Sequence, residues 1–202
     1  MHGRLALAGM AVAVAIAADL HLRLSSRISP VWHTLSEYVY GGSSAAPLFS
    51  AMCLALALGS VALLAGIAKA RRQRSVLVLL GVWSLGLLIV AAFPVDPEGA
   101  ARSLSGQVHN YAALAAFIAL PSAALTLTRA GNVNCPWEPR RTTIRRLATA
   151  SIVSIALVFG GFLFKLLTGP QLTLGLFERL LFTIDLALLA TMVRPLLSAA
   201  PR

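Results

Sequence analysis

Six long apolar runs, separated by short polar segments, organise this 202-residue chain. Each run has about 20 residues, which as a helix covers about 30 Å, the thickness of the hydrocarbon layer of a bilayer. None of the runs alternates between apolar and polar residues as a strand does, and backbone groups in lipid must pair within their own segment. The pattern predicts membrane-spanning helices at residues 5–24, 45–68, 76–95, 109–128, 147–167 and 176–197.

Composition supports this reading. The chain is 58% hydrophobic and 12% charged, and the charged share is about half that of an average soluble protein. Its mean hydropathy is +0.81. We therefore expect an all-α membrane protein, a six-transmembrane-helix bundle with short loops, in which residues 1–202 form a single membrane domain.

The basic residues predict the orientation of the bundle. Twelve of the 17 lie on one predicted side: Arg4, Lys69, Arg71, Arg72, Arg74, Arg129, Arg140, Arg141, Arg145, Arg146, Arg194 and Arg202. Since cytoplasmic loops collect Lys and Arg, both termini are expected to be cytoplasmic. The formal charge of +10 is typical of nucleic-acid binding in a soluble protein, but here the charges lie between apolar runs, so no nucleic-acid partner is predicted.

The start of the chain leaves one alternative open. Arg4, an apolar stretch and then Ala15-Ile16-Ala17 resemble a secretory signal peptide with its cleavage site. Cleavage leaves five helices and an outer N-terminus. We favour an uncleaved first helix, because apolar residues resume at Leu20, Leu22 and Leu24.

The two cysteines, Cys53 and Cys135, have no metal-binding spacing, and their different predicted depths argue against a disulfide. No metal and no cofactor is predicted.

The acidic residues are distributed unevenly. Glu138 is expected on the cytoplasmic side, whereas five acids and three histidines are expected at the outer surface: Asp19, Glu37, Asp96, Glu98, Glu178, His21, His33 and His109. Asp185 falls inside helix 6, where a carboxylate costs about 2.5–3.5 kcal/mol. It therefore needs a partner on another helix, or a proton.

Two further residues join Asp185 as catalytic candidates. Asp96 stands between Pro94 and Pro97, which stiffen its backbone. His109 is predicted to begin helix 4, and a helix start disfavours a cation, so the imidazole is expected to be a neutral base or ligand. A carboxylate with a histidine suits acid–base chemistry. A turn cap and a solvated histidine are the plain structural interpretations.

The first outer connection, "ISPVWHTLSEYVYGG", predicts a helix over residues 31–40 that lies on the outer face and covers the bundle. In such a helix His33 and Glu37 share one face, with Ser36 beside them. A nucleophilic role for Ser36 is disfavoured, because no G-x-S-x-G elbow surrounds it.

The order of several short motifs resembles the DUF998 family of bacterial integral membrane proteins. "TLSEYVYGG" is followed by a helix, a basic loop, a helix that ends in "FPVDP", then "GQVHN" and finally "GLFERLLFTID". The likeness covers about Leu24 to Arg194. It implies a six-helix bundle in a bacterial plasma membrane and brings no substrate, metal or activity. The family-like positions are Ser36, Glu37, Tyr38, Pro94, Asp96, Gly106, His109, Glu178 and Arg179.

Our main functional hypothesis is an outward-facing polar site for a lipid or another hydrophobic small molecule. Asp96, His109, Glu178, Arg179 and Asp185 are expected to line it between helices 3, 4 and 6, with Ser36, Glu37, Tyr38, Glu178 and Arg179 as ligand-binding residues. Membrane lipids and this molecule are the expected partners; the sequence leaves the oligomeric state open.

Three alternatives remain. The first is a non-catalytic structural or regulatory membrane component, in which the polar residues stabilise the bundle or bind a partner. An acid in an apolar cavity also suits a membrane-embedded terpenoid or lipid enzyme. A small transporter is disfavoured, because helix 6 has no Gly/Pro break at midplane and no inverted repeat is evident.

Overall fold

A computed structural model describes residues 1–70, 73–97, 99–129, 135–168 and 173–198. Six long helices follow one another along the chain: α1 His2–Leu24, α2 Ala45–Ala70, α3 Arg74–Ala92, α4 Leu104–Leu127, α5 Arg141–Thr168 and α6 Leu174–Ser198. Short 3-10 helices at Ser36–Tyr40 and Glu138–Arg140 precede α2 and α5. The described residues contain no strand. Four charged residues of the predicted topology, Arg71, Arg72, Glu98 and Arg202, lie outside these ranges.

The expected all-helical bundle is confirmed, since six helices are long and apolar enough to cross a membrane. The orientation of its termini stays a prediction. Observed helices extend beyond the apolar runs where polar residues continue the turn, as at Leu104 and Arg141. Helix α3 ends early, at Ala92, because Phe93 precedes a proline and takes an extended conformation.

Consecutive helices pack side by side, and α6 closes the arrangement by packing on α1, α2, α4 and α5. Glycines allow the closest approaches. A Cβ atom on Gly9 would lie 2.6 Å from the carbonyl oxygen of Ala55, and one on Gly86 would lie 2.8 Å from that of Ala112. Gly81 and Gly160 make no such approach, because a Cβ atom on either would meet nothing within 4 Å.

Two tryptophans tie helices together inside the bundle. The indole N–H of Trp83 on α3 donates to the hydroxyl of Ser60 on α2 at 2.8 Å. The indole of Trp137, before α5, donates to the carbonyl of Met192 on α6 at 2.7 Å. Both rings are fully buried. Each bond satisfies the one polar group of an otherwise apolar side chain.

The bundle has two ends, which we name by what they carry. The terminal face holds the starts of α1, α3 and α5 and the ends of α2, α4 and α6. The distal face holds the ends of α1, α3 and α5 and the starts of α2, α4 and α6. Helices α1 and α5 have the smallest buried share and α2 the largest. Much of the apolar surface of α1 and α5 is therefore left for lipid.

Candidate functional site

On the distal face, Asp96 caps the start of α4. Its carboxylate accepts hydrogen bonds from the hydroxyl of Ser103 at 2.5 Å and from the Ser103 amide at 3.0 Å. These bonds hold the pKa of Asp96 below its usual value. The Ser103 hydroxyl accepts in turn from the amide of Gly106 at 3.0 Å. A Cβ atom on Gly106 would clash with the Asp96 carboxylate, so a side chain at this position requires Asp96 to move.

His109 lies in the second turn of α4, since this helix begins at Leu104; the expectation that His109 begins it is wrong. The imidazole is buried, and its Nδ1 lies 2.7 Å from the carbonyl oxygen of Phe93. A carbonyl only accepts, so Nδ1 carries the hydrogen. His109 therefore anchors Phe93, which directly follows α3, to the side of α4.

The α1–α2 connector, residues 25–44, lies across the distal face. Its helix spans only Ser36–Tyr40, so His33 precedes it, contrary to the predicted shared face of His33 and Glu37. Glu37 folds back and accepts from the amide of Thr34 at 2.5 Å and from its hydroxyl at 3.0 Å. The hydroxyls of Thr34 and Ser36 also bond, at 3.0 Å. Ser36 and Glu37 thus stabilise the connector itself.

Arg179 on α6 fixes this connector to the bundle. Its guanidinium donates to the carbonyl of His33 at 2.8 Å and to the hydroxyl of Tyr38 at 2.7 Å, and it lies 5.2 Å from the centre of the Tyr38 ring. The Tyr38 hydroxyl also bonds Nδ1 of His21 on α1 at 3.1 Å. A Cβ atom on Gly175 would clash with the carbonyl oxygen of His33, so the backbones of α6 and the connector are in direct contact there.

Two further contacts complete the attachment. The carboxylate of Glu178 accepts from the amide of Leu35 at 2.5 Å. The hydroxyl of Tyr40 donates to the carbonyl of Val95, which precedes Asp96. The nearby carboxylates of Asp96 and Glu37 add to the effect of burial in raising the pKa of Tyr40. The connector therefore joins α1, α6 and the α3–α4 connection in one hydrogen-bonded cover.

Asp185 is separate from these groups. It is 1% exposed, and its Oδ1 accepts from the hydroxyl of Ser151 on α5 at 2.7 Å. Its Oδ2 has no hydrogen-bond partner among the described residues. The partner expected on another helix is therefore Ser151, which the sequence did not single out.

The hydrogen bonds divide the predicted site residues into three groups. The first group joins α3 to α4 and consists of Asp96 and His109. The second group organises the cover and consists of Ser36, Glu37, Tyr38, Glu178 and Arg179. The third is Asp185, which joins α5 to α6. Within the described residues no direct bond connects one group with another. No group of three or more His, Cys, Asp or Glu side chains in that part of the chain is arranged to hold a metal ion. The single site between helices 3, 4 and 6 stays a prediction.

A groove lies between α5 and α6. It has a volume of about 920 Å³ and runs from the terminal face toward the bundle centre. One end of the groove is lined by Glu138 and arginines, and the walls beyond this end are formed mainly by apolar side chains. The lining residues are Glu138, Arg141, Thr142, Arg145, Arg146, Thr149, Ala150, Val153, Ser154, Leu157, Leu180 and Ile184. The sequence signal was "RRTTIRR" before an apolar run, which we interpreted only as a topology marker.

Comparison with known proteins gives one match. Neither the curated proteins nor the solved structures yield one. The model of one protein family, described as "Protein of unknown function (DUF998)", matches residues 6–194, nearly the whole chain. The chain therefore belongs to the DUF998 family, and it is a multi-pass membrane protein.

Proposed function

We propose that this protein binds a lipid or another hydrophobic small molecule in the groove between α5 and α6. The observation that carries the proposal is the groove itself, with its apolar walls and polar end. Its volume of about 920 Å³ lies within the range of about 300–1,000 Å³ that is common for small-molecule sites. The proposed site opens toward the terminal face, rather than the distal face that the charge pattern favoured.

The dimensions of the groove support an elongated ligand. Its lining on α5 extends from Arg141 to Leu157, which at 1.5 Å per residue is about 24 Å. The part beyond the arginines, from Arg146 to Leu157, is about 16 Å long, or roughly half of a hydrocarbon layer of about 30 Å. Val153 and Leu157 on α5 face Leu180 and Ile184 on α6 across it. An extended apolar chain parallel to the helices would contact all four side chains.

Asp185 and Ser151 support the same proposal from behind the groove. Ser151 follows the lining residue Ala150, and Asp185 follows Ile184. The bond between their side chains fixes α5 to α6 at the depth where the walls are apolar. We infer that this link keeps the two helices at the separation that the ligand requires.

The distal face favours a second candidate function, a structural or regulatory membrane component without catalysis. Asp96, Glu178 and Arg179 each form hydrogen bonds with the protein's own backbone, and only the Nε of Arg179 is buried without a partner among the described residues of this group. Such residues hold a surface in one shape, as a partner-binding surface requires. Catalytic roles for Asp96, His109 and Asp185 stay predictions.

The test of the groove is lipid mass spectrometry on the full chain purified in native-lipid nanodiscs. Leu157→Trp fills the groove, whereas Leu85→Trp places the same bulk on an exposed position of α3. We expect a retained lipid or small molecule in the wild type and in Leu85→Trp, and its loss in Leu157→Trp. The same species at equal amounts in all three proteins would contradict the groove as its binding site.

A further inference from the structure

The first two turns of α5 carry an unusual concentration of positive charge. Arg141, Arg145 and Arg146 line the end of the groove, and Arg140 directly precedes the helix. The N-terminus of a helix is itself electropositive, so cations placed there raise the electrostatic energy. Like charges at a spacing of four residues, as in Arg141 and Arg145, add repulsion. This arrangement is stabilised when an anion lies among the arginines.

The protein supplies little negative charge of its own at this place. Glu138 is paired with Arg141 at 3.4 Å, and the two side chains are 55% and 34% exposed, so solvent screens the pair. Arg145 and Arg146 have no carboxylate partner in the part of the chain that the structure describes. A planar guanidinium presents paired N–H donors that match the oxygens of a phosphate. The charge therefore fits a phosphate group from outside the protein.

Apolar residues continue directly from the arginines. Within two to three turns along α5 the lining changes to Val153 and Leu157, which are 53% and 44% exposed. Both belong to a predicted membrane span and face away from the bundle core. A soluble anion would leave this wall uncovered. An anion that carries an acyl chain covers the arginines and the wall together.

We propose that the groove between α5 and α6 is a binding site for an anionic phospholipid, with its phosphate on Arg141, Arg145 and Arg146 and an acyl chain along Val153 and Leu157. This assignment rests on the proposed function and names its ligand class. Basic pockets between membrane helices are the kind of site at which anionic headgroups bind.

The experiment uses the full chain in nanodiscs that contain equal amounts of phosphatidylglycerol and phosphatidylcholine, followed by native mass spectrometry. The test variant is the triple substitution Arg141→Gln, Arg145→Gln and Arg146→Gln. The control is Lys69→Gln with Arg74→Gln, which removes charge elsewhere on the terminal face. Circular dichroism first establishes that all variants have the same helix content as the wild type. Arg145→Lys is a further variant, which keeps the positive charge at this position.

We expect preferential retention of phosphatidylglycerol by the wild type, a loss of about tenfold or more in the triple variant, and a change of less than about twofold in the control. Equal retention of phosphatidylglycerol in the triple variant would overturn the inference. So would displacement of the bound lipid by millimolar inorganic phosphate, because the site would then recognise a free anion.

Failure of the inference differs from failure of the proposed function. If the wild type retains both lipids equally and Leu157→Trp removes both, the groove binds lipid without selecting the headgroup, and only the phosphate assignment is overturned. If the wild type retains neither lipid, and its native-lipid nanodiscs also hold no species that Leu157→Trp removes, both proposals are overturned.

Discussion

The hydroxyl of Ser151 on α5 donates a hydrogen bond of 2.7 Å to the carboxylate of Asp185 on α6, deep inside a helix pair whose other contacts are largely apolar. Serine is small enough to lie between packed helices and still reach a side chain across the interface. The bond gives the buried carboxylate of Asp185 a partner, but it satisfies only one of the two carboxylate oxygens.

Removing Ser151 is therefore expected to be costly. Ser151→Ala leaves both oxygens of Asp185 without a partner and should lower the unfolding free energy by about 1–3 kcal/mol. Asp185→Asn keeps an acceptor for Ser151 and should leave the stability nearly unchanged. Thermal unfolding in detergent measures both, with Ser122→Ala as an exposed control. An Asp185→Asn protein that fails to assemble would instead require a carboxyl group at this position.

The attachment of the distal cover can be tested at Tyr38. Tyr38→Phe removes the hydroxyl that bonds Arg179 and His21 and keeps the ring beneath the guanidinium. We expect a loss of about 1–3 kcal/mol in stability and faster hydrogen exchange in residues 25–44. Tyr111→Phe is the matched control, because this ring is 71% exposed. Unchanged exchange in the connector would show that the hydroxyl contributes nothing to its attachment.

Gly106 should tolerate no side chain while Asp96 is present. Gly106→Ala places a methyl group against the Asp96 carboxylate and should destabilise the protein by about 1–3 kcal/mol. Asp96→Ala in the same chain removes the clash and should recover part of this loss. Gly81→Ala, which meets open space, should be neutral or slightly stabilising. Purely additive effects at Gly106 and Asp96 in a double-mutant cycle would contradict the contact.

The cap at the start of α4 should depend on pH. The pKa of Asp96 is lowered in the folded protein by hydrogen bonds from Ser103. The carboxylate therefore stabilises the fold above the ordinary aspartate pKa of about 3.9, and this contribution is lost as the pH falls through the lower folded pKa. Hydrogen-exchange protection in the first turn of α4 should fall in this acidic range.

Asp96→Asn supplies the comparison for that experiment, since it should show a flat protection profile. The first turn of α3 contains no acidic residue and no side-chain cap, and serves as an internal reference. Equal pH profiles for the wild type and Asp96→Asn would mean that another group governs the start of α4.

The sequence predicted the fold well because each spanning helix is encoded locally, by about 20 consecutive apolar residues. The helix ends were harder to predict, because hydropathy indicates which residues lie in the hydrocarbon layer and not where a helix begins. The first turns of α4, from Leu104 to Asn110, and of α5, from Arg141 to Arg146, are helical although their sequence is largely polar. Asp185 was identifiable as a residue that needs a partner. Ser151 was not, because one serine among several in an apolar helix gives no sign of which faces inward.

The groove was missed for the same physical reason. Its lining comes from two helices that contact each other only after folding, and neither α5 nor α6 shows a concave surface in its own sequence. The polar residues of the distal face were recognised as a set. We expected these residues to converge on one ligand. In the structure, backbone carbonyls and amides are their main partners instead.

The cover on the distal face also dictates an order of biogenesis. His33 and Leu35 bond to residues 146 and 143 positions later in the chain. During synthesis the connector emerges long before Glu178 and Arg179 exist, so its bonds to α6 form only after four further helices have entered the membrane. We therefore expect a nascent chain that stops before Leu174 to leave residues 25–44 more accessible to added protease than a chain that includes α6.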